Sequence, residues 1–240
     1  MKRCFVICVL LLLPVLLYAP QRQAVSAGGT AEITGDLKYV ALTFDDGPRA
    51  DTTALLLNGL RARGANATFF LIGEQIPGNE ALVRRMAAQG HQVGNHTYSH
   101  VILEKAADNA IVEEIQKTQV LLEEILGPGD YWLRPPYGMV DRKRIDLIRS
   151  PMIFWSLDPE DWKVLDSGQV VERVLSQIQP GDIILLHDFY PTSVEAALQI
   201  IDALQPQGYA FVTVEALFQI YGTTPLLGEL YCTATTIRTW

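Results

Sequence analysis

The chain spends few histidines and concentrates them. Of four in 240 residues, His96 and His100 stand four apart in Asn95-His-Thr-Tyr-Ser-His100, and His187 lies in Leu185-Leu-His-Asp188. Upstream, Asp45 and Asp46 close an apolar run in Thr43-Phe-Asp-Asp-Gly-Pro48. Imidazoles and carboxylates ligate the same divalent ions and also move protons near neutral pH. The inventory therefore suits one bound divalent metal with an acid and a base beside it.

A four-residue step lets His96 and His100 face the same way on one helical turn. Two imidazoles plus one carboxylate leave a position open for water or substrate, as catalytic zinc requires. Either aspartate can supply that carboxylate. As neighbours in extended chain their side chains diverge, so one is expected to bind the ion while the other stands beside it as base. A base must be held by a partner, and Arg134 in Arg134-Pro-Pro-Tyr-Gly138 is a candidate bidentate clamp. The competing reading makes the aspartates an acidic turn before Gly47-Pro48, with surface histidines that never meet them.

Such residues need a frame, and the hydropathy pattern supplies one. Apolar runs of strand length fall at 39–44, 67–72, 92–94, 132–133, 153–157, 182–186 and 210–214. Amphipathic helical stretches alternate with them at 50–63, 79–89, 110–126, 142–149, 169–177 and 194–204. The alternation predicts an α/β fold of βα units around a mostly parallel sheet, with barrel-like but distorted closure by seven strands. In such folds, functional residues gather where strands end. Asp45 and Asp46 end the first strand, His96 follows the third, Arg134 ends the fourth, Asp158 and Asp161 follow the fifth, and His187 ends the sixth.

Residues 1–27 are expected to lie outside this fold. Lys2 and Arg3 precede an apolar stretch from Phe5 to Ala19, and small residues follow at Ser26-Ala27-Gly28. That stretch is short against the roughly 20 residues of a bilayer span, which favours a cleaved export signal over a retained membrane anchor. Either reading sends the remainder, residues 28–240, out of the cytoplasm, to an extracellular, periplasmic or cell-envelope location. Cys4 and Cys8 fall in the leader, so only Cys232 remains and no disulfide framework is expected. Removing the leader takes away Lys2, Arg3 and Arg22 and no acid, leaving 16 basic against 27 acidic side chains, a formal charge of −11. A nucleic-acid partner is excluded on that balance, and no protein partner is implied. The 213 residues left, without repeat or linker, suffice for one domain with a full core.

Five segments, taken together, resemble the ordered motifs of the polysaccharide deacetylase family, also called the NodB homology domain or carbohydrate esterase family 4. They are Thr43-Phe-Asp-Asp-Gly-Pro48, His96-Thr-Tyr-Ser-His100, Arg134-Pro-Pro-Tyr-Gly138, Asp158-Pro-Glu-Asp-Trp162 and Leu185-Leu-His187. The resemblance covers about residues 38–218 and implies a distorted (β/α) barrel, usually of seven strands. It implies Asp45 as catalytic base, Asp46, His96 and His100 as metal ligands, and Arg134 as the residue orienting the base. Tyr137 would offer its backbone N–H to the oxyanion, and Asp161 would orient the acid, His187. Trp162 and Leu185 would line the pocket for the acetyl methyl.

The activity implied is metal-dependent hydrolysis of N-acetyl groups on an acetylated glycan of N-acetylglucosamine type, peptidoglycan or a chitin-like oligomer. Zn2+ is the expected ion, with Co2+, Ni2+ or Mn2+ as alternatives. Two other readings stand beside it: hydrolysis of an O-acetyl ester, as on xylan, or of a non-sugar amide, and noncatalytic glycan binding. His91 reads as a turn or core-edge residue, and Trp132 and Trp155 as core. Tyr98, Phe189 and Tyr190 lie in loops where they could stack on sugar rings or cover the site, while Asp188 could assist the metal or cap the following helix.

Overall fold

The apolar run ending at Asp45 becomes the central strand of the molecule. In the computed structural model, which describes residues 37–237, β1 spans Lys38–Asp45 and is buried from Val40 onward. A strand buried on both faces belongs in a parallel sheet covered by helices. β1 pairs in parallel with β2 (Ala67–Leu71), β5 (Ile183–His187) and, along its first half, β6 (Tyr209–Phe211), and β2 pairs with β3 (Gln92–Asn95).

The gap between β3 and β5 is closed by short pieces. β4 (Met152–Ile153) pairs with β7 (Leu230–Tyr231). Single parallel bridges join Asn95 to Leu133, Leu133 to Met152 and Leu157 to Ile184. The result is the expected distorted (β/α) barrel with seven strands, although the set differs by one member. Trp132-Leu133 contributes only a bridge, the strand expected over 153–157 stops at Ile153, and the seventh strand is β7, beyond the stretch carrying the motifs. Two-residue strands are too short to show a period.

Helices α1 (Thr52–Ala62), α2 (Glu80–Ala88), α3 (Asp108–Leu126), α5 (Ser167–Leu175) and α6 (Pro191–Leu204) follow the expected stretches closely. A one-turn α4 (Asp161–Val164) precedes α5. Residues 142–147 form a 3-10 segment instead of an α-helix. The strand expected to reach Val214 ends at Phe211, because Thr213 accepts from the Ala216 N–H at 3.1 Å and caps α7 (Val214–Ile220).

The period of two along β1 divides its side chains. Val40, Leu42 and Phe44 face outward onto Leu56, Leu57 and Leu60 of α1 and Ala197, Ile200 and Ile201 of α6, all fully buried. Each such leucine contributes about 2 kcal/mol by its burial. Ala41 faces inward with Phe70, Ile153 and Ile183, and Phe218 of α7 and Tyr231 of β7 close that inner cluster. Thr43 and Asp45 share Ala41's inward face. The leader proposed for residues 1–27 lies outside the described residues, and no described helix is long and apolar enough to cross a membrane.

Candidate active site

Asp45 ends β1 with its side chain in the barrel mouth, 3 % exposed, and its backbone partners are Phe70 of β2 and His187 of β5. Arg134 reaches it from the bridge segment. The guanidinium is fully buried, and Nη1 donates to Asp45 Oδ1 at 2.8 Å and to Thr43 Oγ1 at 2.7 Å. Nε and Nη2 go to the carbonyls of Ile153 and Phe154 at 3.1 and 2.7 Å, and the guanidinium lies 4.1 Å over the Phe70 ring. The clamp is therefore monodentate toward Asp45, contrary to the bidentate expectation. The rest of the fork is spent on a cation's other requirement in a buried place, a full set of acceptors.

Asp46 lies past the strand end in the left-handed region, at φ 73°. That turn overcomes the divergence expected of neighbours in extended chain: Asp45 Oδ2 and Asp46 Oδ1 both lie 3.6 Å from His96 Nε2. His100 Nε2 lies 3.4 Å from the same Asp46 oxygen. The two histidines converge without the helical turn that their spacing suggests. Residues 96–100 form an irregular turn after β3, with Thr97 at φ 64° and His100 at φ 58°.

The donor set fits a divalent cation. One atom each from Asp46, His96 and His100 lies within 4.8 Å of the others, and the Asp46 oxygen is buried with no hydrogen-bond partner among the described residues. The approaches of 3.4–3.6 Å are too long for hydrogen bonds. His96 Nδ1 sits 2.8 Å from the Arg134 carbonyl; a carbonyl only accepts, so Nδ1 carries the proton and the Nε2 lone pair faces the carboxylates. Burial holds His96 and His100 below the usual imidazole range, against the opposing pull of nearby aspartates. Neutral imidazole is the form that ligates.

Opposite stands a second hydrogen-bonded pair. Asp161, fully buried at the start of α4, accepts from His187 twice, from Nδ1 and from the backbone N–H, each at 2.8 Å. Burial works against charge on His187, but the Asp161 hydrogen bond and the charges of Asp161, Asp45 and Asp46 outweigh it and push the imidazole up to about 9. Tyr137 adopts φ 59° in the 3-10 turn 136–138, and its ring lies 4.7 Å from that of His100.

A cleft of about 500 Å³ joins these groups. Asp45, Asp46, His96, His100, Tyr137, Trp162, Leu185 and His187 all line it, and so do Trp155, Asp158 and Tyr190. Trp155 packs against the inner core cluster, as expected, but it is half-buried, stacked on Phe154 at 3.9 Å, and also borders the cleft. It lies past the end of β4, the position that marks functional residues in this architecture, and the apolar pattern hid it. Trp132 is 8 % exposed in the core, as expected.

The remaining candidates separate cleanly. His91 lies away from the cleft, 6 % exposed, with Nδ1 accepting from the Ala67 N–H at 3.2 Å. Burial, aided by Arg85, holds it down to about 4. Tyr98 borders a separate apolar groove with Pro77 and Leu121, and Phe189 carries the Arg49 guanidinium 4.0 Å over its ring. Asp188 is fully buried behind the Asp46-Gly47 turn and accepts from Thr53 Oγ1, so it neither joins the metal donors nor caps a helix. Burial pushes its carboxyl up to about 7.

Comparison with known proteins gives a consistent result. The family model described as "Polysaccharide deacetylase" matches residues 32–151. The chain is 36 % identical over 201 residues to the peptidoglycan-N-acetylmuramic acid deacetylase PdaC of Bacillus subtilis, covering 84 % of this chain and 43 % of that one. It is 37 % identical over 201 residues to the peptidoglycan-N-acetylglucosamine deacetylase PgdA of Listeria monocytogenes, covering 84 % and 42 %. The chain thus spans less than half the length of these curated relatives. Among solved structures, a family 4 acetyl xylan esterase from Clostridium thermocellum, in complex with a cobalt ion, superposes with a TM-score of 0.78 at 30 % identity, covering 83 % of this chain and all of that one.

Proposed function

Because this chain belongs to the polysaccharide deacetylase family, we propose that it removes N-acetyl groups from a glycan of N-acetylglucosamine type by metal-dependent hydrolysis, releasing acetate. One observation carries the reading: two proton-handling pairs, Asp45 with Arg134 and His187 with Asp161, face each other beside a ligand cluster in one cleft. Mere binding of a sugar needs neither a base nor an acid. The relatives named for peptidoglycan support that polymer over a chitin-like one. Peptidoglycan lies outside the cytoplasmic membrane, which supports an exported, cell-envelope location.

The bond is an amide, with a weak electrophile and an amine that leaves only when protonated. Asp46, His96 and His100 would hold the ion; we assign Zn2+ on its preference for two imidazoles and a carboxylate, the same donors accepting Co2+, Ni2+ or Mn2+. When bound, the ion supplies a Lewis acid that polarises the acetyl carbonyl and acidifies water. Asp45 takes the proton of the attacking water, and the Arg134 hydrogen bond holds its carboxylate in place. Charge then develops on the carbonyl oxygen, which the Tyr137 backbone N–H meets, a type of contact worth about 3–4 kcal/mol in other enzymes. His187, charged and held by Asp161, delivers its proton to the departing nitrogen. Trp162 and Leu185 receive the methyl.

Acetate release from peptidoglycan, chitooligomers and acetylated xylan tests the proposal. Release from the N-acetylated polymers should vanish with chelator, return with Zn2+ or Co2+, and be abolished by Asp46→Ala. Release indifferent to Asp46→Ala overturns the metal assignment. The likeness to an acetyl xylan esterase favours one second reading: release from acetylated xylan alone moves the activity to an ester.

A further inference from the structure

The two histidines of the ligand cluster are supported unequally. His96 continues β3: its backbone N–H donates to the Leu71 carbonyl at 2.9 Å and its Nδ1 to Arg134 at 2.8 Å. His100 has no hydrogen bond to the frame among the described residues; its neighbours are the rings of His96 and Tyr137 and the Asp46 carboxylate. It also sits at φ 58°, a conformation that a non-glycine residue leaves unless the surroundings hold it. The position of its Nε2 is therefore set by whatever holds residues 97–99.

The carbonyls of Thr97 and Tyr98 accept from the Gly73 and Glu74 N–H groups, each at 2.9 Å, and the side facing Ser99 and His100 is held from one step of α3. Glu114 Oε2 accepts from the backbone N–H groups of Tyr98 and Ser99 at 3.0 and 2.7 Å, and Oε1 accepts from Ser99 Oγ at 2.7 Å. The next residue, Ile115, accepts through its carbonyl from the Asn95 side-chain amide at 2.9 Å, while Asn95 Oδ1 accepts from the Thr97 N–H at 2.8 Å. Glu114 is half-buried, and Lys117, one turn on, pairs with Glu113 at 2.7 Å instead. Its carboxylate is thus committed to the turn. Charge-assisted bonds to backbone N–H groups are among the stronger hydrogen bonds a protein makes.

We propose that Glu114 is a positioning residue of the metal centre, acting through His100: it locks Tyr98 and Ser99 so that His100 meets the ion alongside Asp46 and His96. The inference rests on the metal-dependent reading above. Removing groups that orient a ligand typically weakens metal binding by about 10- to 100-fold.

The test is Zn2+ titration of the full apo chain against a chromophoric chelator, with Co2+ absorption spectra read in parallel. Glu114→Ala should bind Zn2+ about tenfold or more weakly and alter the Co2+ spectrum. Glu114→Gln keeps an acceptor for both N–H groups and should restore most of the affinity. Because the effect runs through His100, Glu114→Ala should add nothing further in a His100→Ala background. Wild-type affinity in Glu114→Ala, or an undiminished loss in the His100→Ala background, overturns the proposal. Should Glu114→Ala not fold, Glu114→Asp, one methylene shorter, is read the same way: weaker binding supports the role and unchanged binding overturns it. If the wild-type chain takes up no divalent ion in a manner abolished by Asp46→Ala, the deacetylase reading itself fails. Uptake that ignores Glu114 sinks this inference alone.

Discussion

Asp45 and His187 are direct backbone partners in the parallel ladder of β1 and β5. Neighbouring strands lie about 4.8 Å apart, so the proposed base and the proposed acid stand one interstrand step from each other. Each is gripped from behind by a fully buried group, Arg134 for Asp45 and Asp161 for His187. The gap is a property of the sheet, and moving either residue would break buried ladder bonds.

Replacing Arg134 should be costly in two measurements. Taking the guanidinium away leaves Asp45 buried and unpaired, and breaking a buried ion pair costs about 3–5 kcal/mol, readable by urea denaturation. Arg134→Lys keeps the charge but cannot span Asp45, Thr43 and two carbonyls at once. Its acetate release should fall on the order of a hundredfold because the base is misplaced. Wild-type turnover in Arg134→Lys would mean Asp45 needs no such grip.

Asp161→Asn should move the alkaline side of the pH profile. In the proposed mechanism His187 acts protonated, so its contribution to rate disappears as pH rises through its value of about 9. Without the Asp161 charge that value drops toward the ordinary 6.5, and the alkaline limb should shift to lower pH by more than about one unit. The linked stability has the same sign: with the folded value raised, it is fully present below 6.5 and is lost as pH climbs toward about 9. A limb that stays in place would remove His187 from the role of acid.

His91 gives the opposite sign. Its folded value of about 4 lies below the ordinary 6.5, so the unfolded chain takes up the proton first and stability falls as pH drops through that window. The full effect is up to about 3 kcal/mol. His91→Asn, which keeps an acceptor for the Ala67 N–H, should flatten the dependence when denaturation is compared at pH 7 and pH 4.5. Equal slopes in both proteins would refute it.

Gly47→Ala should couple to Asp188. A Cβ at Gly47 would fall 2.6 and 2.7 Å from the two Asp188 carboxylate oxygens, closer than real contacts allow, and overpacking of this kind costs about 1–3 kcal/mol. Asp188→Ala should recover part of that loss, giving a coupling of about 1 kcal/mol or more in a double-mutant cycle. Strict additivity would show that the turn relaxes elsewhere.

Much of this was legible in residue types and spacing. The buried run of β1 announced a covered parallel strand, and the polar residues at strand ends pointed to the cleft because the frame directs loops there. What escaped lay at a finer scale than pattern. The convergence of His96 and His100 depends on left-handed Thr97 and His100, which helical spacing misrepresents. The reach of Asp46 depends on a similar turn at φ 73°. Trp155 packs on the core as its pattern suggests, but an aromatic in an apolar run has the same pattern whether or not it also borders a cleft. Glu114 was invisible, since an acidic residue on a helix gives no hint that it caps a turn fifteen residues earlier.

Arg134 serves two masters with separate parts of itself. Its guanidinium grips Asp45, while its carbonyl sets the tautomer of His96. A substitution exchanges the first and leaves the second in place. The proposed proton handling and the proposed ion holding should therefore be separable at this one residue. On the proposed reading, a chain carrying Arg134→Lys would turn over about a hundredfold more slowly with its ion-binding residues intact, a bait for the acetylated glycan that the cleft is proposed to take.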